Sequence, residues 1–197
     1  MILLIDNYDS FTHNLAQLIG ADQEVVITRN DSDTIFQLAN QAKAIIISPG
    51  PGTPEETGHV KELIQQFYQK KPVLGICLGH QTIGKVFGAK VILAKKIRHG
   101  KQSLIKTNKD SQLFKGIAQE DSVMRYHSLV IDRQTLPSEF LVTATATDDQ
   151  EIMAIEHQKY PVFGLQFHPE SIGTSSGTAI IKNFIQVMGE QCDERTL

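Results

Sequence analysis

Tryptophan is missing from this 197-residue chain, and cysteine nearly so, with two residues. The two stand far apart, at Cys77 and at Cys192 in the C-terminal segment. They cannot build a disulfide framework, so a reduced, cytoplasmic setting is expected, where a thiol stays free for chemistry. Charge of one sign is also lacking: 19 Lys and Arg stand against 22 Asp and Glu, a net −3. That balance removes the electrostatic case for nucleic acid or an anionic membrane as partner. Long apolar runs are absent too. The opening MILLIDNYDS has no basic residue ahead of its apolar stretch, and Asp6 ends that stretch early. A signal peptide is not expected there, and no segment reaches membrane-spanning length. Repeats, low-complexity tracts and linkers are likewise missing, so one domain is expected over residues 1–190 with a frayed tail at 191–197.

What is present begins with short β-rich runs alternating with helical patterns. MILLI (1–5), EVVITR (24–29), AIIIS (44–48) and PVLGI (72–76) read as strands, the first and last buried on both faces. Between them run helical patterns, with Ser10 and Ser32 as candidate N-caps for the first two. The first helix would carry Phe11, Leu15, Leu18 and Ile19 on one stripe. HVKELIQQFYQ and GHQTIGKVFG follow as helices. This order predicts an α/β fold with an open, mostly parallel central sheet flanked by helices. The second half differs: KVILAKK, KQSLIKT, SVMRYHSLVID, FLVTATATDD and EIMAIEHQ read as strands joined by short turns, an added antiparallel region. PVFGLQF (161–167) returns to a buried strand, and AIIKNFIQVMG (179–189) closes as an amphipathic helix.

In an open parallel sheet, ligands bind outside the carboxyl ends of the strands. DNYDS, SPGPGTP, CLGHQ and HPES all fall just after buried strands, so four segments should share one edge. Gly75-Ile-Cys77-Leu-Gly79, between strand and helix, has the form of a nucleophile elbow. Small residues two places either side let strand and helix approach. The helix N-terminus favours a thiolate, and the Leu78 amide would face a developing oxyanion. The plainer reading is a buried core thiol with glycines that merely pack. A third is half of a metal site with His80 at i+3, but zinc needs three or four ligands and no second cluster supplies them.

A thiol nucleophile needs a base. Among the seven histidines, His168 is best placed, directly after the last buried strand, with Pro169 holding it extended. Glu170 can lie on the same side and orient the imidazole, giving a nucleophile, base and orienter. A lone HPE would be an ordinary turn; an elbow at the same edge favours the catalytic reading. His80 is expected to be packed in the first helical turn, and His13, His59, His99, His127 and His157 to be structural or on the surface. The Ser48–Pro54 loop is either a rigid turn or a source of glycine amides for a second oxyanion donor; it lacks the lysine and spacing of a P-loop.

SPGPGTP, GICLGHQ, YHSL (126–129) and FHPES (167–171), in that order, resemble the class I (triad-type) glutamine amidotransferases. IDNYDSFTHNL narrows the resemblance to the amidotransferase subunits of anthranilate synthase and aminodeoxychorismate synthase. The resemblance spans essentially the whole chain. It implies Cys77 as nucleophile, His168 as base and Glu170 as orienter, with Leu78 and Gly52 as oxyanion donors. It implies Gly50, Pro51, Gly52, Gln81, Ser128 and Leu129 as the glutamine-binding positions. The implied reaction is hydrolysis of the glutamine side-chain amide through a thioester, with ammonia passed to a chorismate-using synthase subunit. No cofactor or metal is expected in this chain; Mg²⁺ would belong to the partner. Asp6, Asn7, Tyr8 and Ser10 open at the same sheet edge and are expected to support the site and meet the synthase. Two other classes fit parts of the pattern: a stand-alone cysteine γ-glutamyl hydrolase, and a catalytically dead subunit, which an intact Cys–His–Glu set argues against.

Overall fold

A computed structural model describes residues 1–21 and 23–194, with side chains through residue 189. The first strand, β1 (Ile2–Asp6), is buried at every position. Ile2 and Leu4 enter one core with Leu15, Ile19, Ile180 and Phe184. Leu3 and Ile5 enter a second with Ile35, Val60, Leu63 and Ile83. Strand side chains alternate between faces, so an unbroken apolar run is stable only where both faces are covered. Helices α1 (Thr12–Gly20) and α5 (Gly177–Glu194) cover one face. Helices α2 (Ile35–Gln41), α3 (Val60–Phe67) and α4 (Leu78–Val86) cover the other.

The remaining strands are β2 (Val25–Arg29), β3 (Ala44–Ile47), β4 (Val73–Ile76), β5 (Val91–Leu93), β6 (Lys101–Thr107), β7 (Glu120–Arg125), β8 (Leu129–Ile131), β9 (Phe140–Ala146), β10 (Ile152–His157) and β11 (Val162–Leu165). The main sheet runs β2-β1-β3-β4-β11-β10-β9-β6-β7. Its β2-β1-β3-β4-β11 half is parallel, and the rest is antiparallel. This is the mostly parallel sheet with an antiparallel extension that the sequence predicts. Strand β11 returns beside β4 with Leu165 opposite Ile76. The residues that follow these two strands therefore emerge side by side, although about ninety positions separate them in the chain.

Five local expectations need correction. SVMRYHSLVID is not one strand: β7 ends at Arg125, and β8 pairs with β5 in a separate two-stranded sheet. Ser10 does not cap α1, which begins at Thr12 with Phe11 in the capping position and no side-chain cap. Asp6 organises that entry instead, accepting from the Thr12 hydroxyl at 2.9 Å and the Asp9 amide at 3.0 Å; Phe11 is exposed rather than on the buried stripe. Ser32 sits two residues early, taking the Thr34 amide at 3.3 Å, while Thr34 stands at the cap of α2. Finally, α5 runs on to Glu194, past the residue where the tail was expected to begin. The rest of that tail, 195–197, lies outside the described residues, as does the Cys192 side chain.

Candidate active site

Cys77 lies between β4 and α4 at φ 50°, ψ −100°, a region that non-glycine residues occupy only under constraint. The constraint is visible. Its amide donates to the Leu165 carbonyl at 2.7 Å, and its carbonyl accepts from the Gln81 amide at 3.0 Å. A Cβ on Gly75 would sit 2.4 Å from the Gly79 carbonyl, and one on Gly79 would sit 2.6 Å from the Ile47 carbonyl oxygen. Strand, turn and helix thus touch backbone to backbone, and any side chain at either glycine would push them apart. Leu78 is the first residue of α4, so its amide has no carbonyl a turn back in the helix to receive it.

His168 is buried, and its Nδ1 lies 2.7 Å from Glu170 Oε1. Its backbone is clamped: the amide donates to the Met124 carbonyl at 3.0 Å, and the carbonyl accepts from the Thr174 hydroxyl at 2.7 Å. Burial alone would drive the imidazolium toward deprotonation. The Cys77 sulfur and the Glu170 carboxylate outweigh it and hold the His168 pKa up at about 10. Nε2 nevertheless makes no hydrogen bond of good geometry. The sulfur acts on it through charge and proximity.

Of the expected glutamine-binding positions, Gln81 and Leu129 are joined directly, Gln81 Nε2 donating to the Leu129 carbonyl at 2.8 Å. Ser128 is exposed, and its carbonyl accepts from the Ala94 amide at 2.8 Å. Gly50 fits against Asn7, whose carbonyl oxygen would lie 2.5 Å from a Cβ there. Pro51 and Gly52 are exposed, Gly52 at φ 83°. Asn7 ties three strand ends together: its amide and Nδ2 donate to Ser48 at 2.9 and 2.8 Å, and its Oδ1 accepts from Asn30 at 2.9 Å. Asp6 pairs with Arg29 at 2.9 Å. Tyr8 and Ser10 are exposed on the outer side of this loop, with the Tyr8 hydroxyl donating to Asp31 at 2.7 Å.

Sequence reasoning passed over several neighbours. The Tyr126 ring stands edge-on to His168, centroids 4.9 Å apart; its only sequence signal is adjacency to HSL. Asp9 is half-buried, and burial raises its pKa while His168 and Glu170 act on it from nearby. Gln166 is fully buried with its Nε2 3.6 Å from Cys77 Sγ. Arg125, wholly buried, donates to Asp149 at 2.9 Å, to His127 Nε2 at 3.0 Å and to Glu151. Asp149 and Glu151 come from the connection between β9 and β10, so no local pattern announces them. His80 is packed as expected, fully buried against Gly164; burial holds it neutral with a pKa of about 3.

A surface depression of about 480 Å³ borders Glu170 and Tyr126 but touches neither Cys77 nor His168. Among the described residues, no group of three or more His, Cys, Asp or Glu is placed to hold a metal ion. None of the described helices is long and apolar enough to cross a membrane.

Residues 3–188 match the glutamine amidotransferase class-I family. The chain belongs to that family. This amidotransferase is 50% identical over 190 residues to anthranilate synthase component 2 of Lactococcus lactis, covering 96% of both chains. It is 48% identical over 188 residues to aminodeoxychorismate/anthranilate synthase component 2 of Bacillus subtilis, covering 94% of this chain and 96% of the relative. A Thermoplasma acidophilum protein solved as a candidate component of GMP synthase superposes with a TM-score of 0.89 at 26% identity, over 100% of this chain and 97% of that one.

Proposed function

We propose that this amidotransferase is the glutaminase subunit of a cytoplasmic, chorismate-using synthase. The observation that carries the reading is the His168–Glu170 pair at 2.7 Å beside a strained Cys77 elbow. In the proposed reaction the Cys77 thiolate attacks the side-chain carboxamide carbon of L-glutamine, and the oxyanion is met by the Leu78 and Gly52 amides. His168, protonated and oriented by Glu170, gives its proton to the departing nitrogen as the C–N bond breaks, releasing ammonia. Water then attacks the γ-glutamyl thioester while His168 takes its proton, and C–S cleavage returns glutamate and the thiolate. Gly50, Pro51, Gly52, Gln81, Ser128 and Leu129 hold the glutamine. Asp6 and Asn7 support the site, and Tyr8 and Ser10 meet the synthase.

Ammonia passes to a partner that makes anthranilate, 4-amino-4-deoxychorismate, or both; the names of the Lactococcus and Bacillus relatives support this range. The chain itself supplies no cofactor, and Mg²⁺ belongs to the partner. The test combines the chain with each synthase partner in turn and measures glutamine-dependent product. Cys77→Ala abolishes that product and spares synthesis from added ammonium salts. Rapid cleavage of γ-glutamyl peptides by the chain alone, or loss of both activities in the variant, would overturn the reading.

A further inference from the structure

The Leu129 carbonyl can only accept a hydrogen bond, and it lies 2.8 Å from Gln81 Nε2. That single backbone group fixes the orientation of two buried carboxamides. The Gln81 amide nitrogen has two hydrogens; one goes to Leu129 and the other to Gln166 Oε1 at 3.2 Å. With its oxygen engaged, Gln166 must turn its NH₂ the other way, and there it meets Cys77 Sγ at 3.6 Å. Reversing Gln166 would set two NH₂ groups against each other and an oxygen lone pair against the sulfur. In a site where Gln166 is fully buried and Gln81 nearly so, those unpaired groups would each be costly.

We propose that Gln166 donates a hydrogen bond that stabilises the Cys77 thiolate, and that Gln81 is the positioning residue that holds Gln166 in that orientation. The relay runs from the Leu129 carbonyl through Gln81 and Gln166 to the sulfur. It works alongside the α4 N-terminus and His168, from the side of the sulfur reached by β11. Gln166 owes its place to the same β4–β11 pairing that brings His168 to the elbow. The inference rests on the reading of Cys77 as the nucleophile but is tested without glutamine or a partner.

The experiment measures iodoacetamide alkylation of Cys77 in the full chain, with Cys192→Ser as the parent so that one thiol reports. Rates are taken across pH 4 to 9.5, and thiolate formation is read as the pH of half-maximal rate. Gln166→Met keeps the length and removes the donor; it should move that midpoint up by about half a pH unit, a three-fold effect on the ionisation equilibrium, without lowering the plateau. Gln166→Glu, which faces the thiolate with a carboxylate, should move it further. Gln81→Met should move the parent's midpoint by roughly half as much and have no effect once Gln166→Met is in place, because a positioning residue acts only through its target. Gln166→Asn, too short to reach the sulfur, serves if methionine is not accommodated, and it must give the same pattern. A lowered plateau with an unmoved midpoint would mean altered access or packing, and a parental profile would mean no donor; either overturns the proposal. Glutamine-dependent synthesis surviving Cys77→Ala would instead sink the proposed function and leave the alkylation result standing.

Discussion

Adding one methyl group at Gly75 should stop the chemistry without unfolding the chain. The Cβ of Gly75→Ala would lie 2.4 Å from the carbonyl carbon and oxygen of Gly79 and 2.7 Å from the His80 amide nitrogen. Ordinary contact begins at 3.4 Å, so the shortfall is about 1 Å. All three atoms belong to the backbone of α4, so no side-chain rotamer can relieve the clash; the first helical turn must move. Overpacking of this kind costs about 1–3 kcal/mol, against a typical domain stability of about 5–15 kcal/mol, and the fold survives. A displacement of about 1 Å at a reacting group costs on the order of 100-fold in rate. The expected result is a folded protein with glutamate release down about 100-fold; under the proposed function it still binds the synthase and leaves ammonia-supported synthesis intact. Gly88→Ala is the control: its φ is 98° and nothing lies within 4 Å of the added Cβ, so it should cost roughly 1 kcal/mol of backbone strain and no activity. Glutamate release within about three-fold of wild type in a well-folded Gly75→Ala protein would refute the claim that backbone contact sets the elbow.

Glu170→Gln removes the carboxylate that helps hold the His168 imidazolium. Steady-state glutaminase kcat should fall by about 100-fold or more with little change in KM. Arg125→Met would leave the Glu151 carboxylate without its guanidinium partner and Asp149 with Arg98 alone, two side chains that are 4% and 3% exposed. Losing one partner of a buried ion cluster costs about 3–5 kcal/mol, readable as an early urea transition. Burial holds His80 neutral at a pKa of about 3; burial and then the Arg125 charge do the same for His127. Both folded values lie below the unfolded value, so their contribution is complete above about pH 6.5 and is lost as pH falls toward 3. Stability should therefore drop by up to about 2 kcal/mol per histidine between pH 7 and pH 5. Urea midpoints at the two pH values check this, and His127→Gln, which still offers Arg125 an acceptor, should flatten the slope. An unchanged wild-type midpoint at pH 5 would contradict it.

Much of this molecule is local in origin and was legible. Unbroken apolar strands such as MILLI announce a sheet covered on both faces, because that pattern has no stable half-exposed alternative. Glycines spaced around Cys77 announce a turn where backbones meet, and HPE after a buried strand marks the same sheet edge. Where local propensity misled, tertiary contacts had overridden it: Ser10 is a good cap by composition, yet Asp6 reaches Thr12 first. A continuous β-rich stretch such as SVMRYHSLVID gives no sign that its ends belong to different sheets.

The chain's own pattern was thus enough for the class of fold, for the turn at Cys77 and for placing His168 at the same sheet edge. Only the tertiary structure decided the long-range partnerships around these residues. Gln166, Tyr126 and the Arg125 cluster owe their places to the β4–β11 pairing, the β7–β8 break and the turn between β9 and β10. The physical reason is that burial and hydrogen-bond partnership at long range depend on which strands pair. A sequence period reports only the face on which a residue lies, and nothing of what waits across from it.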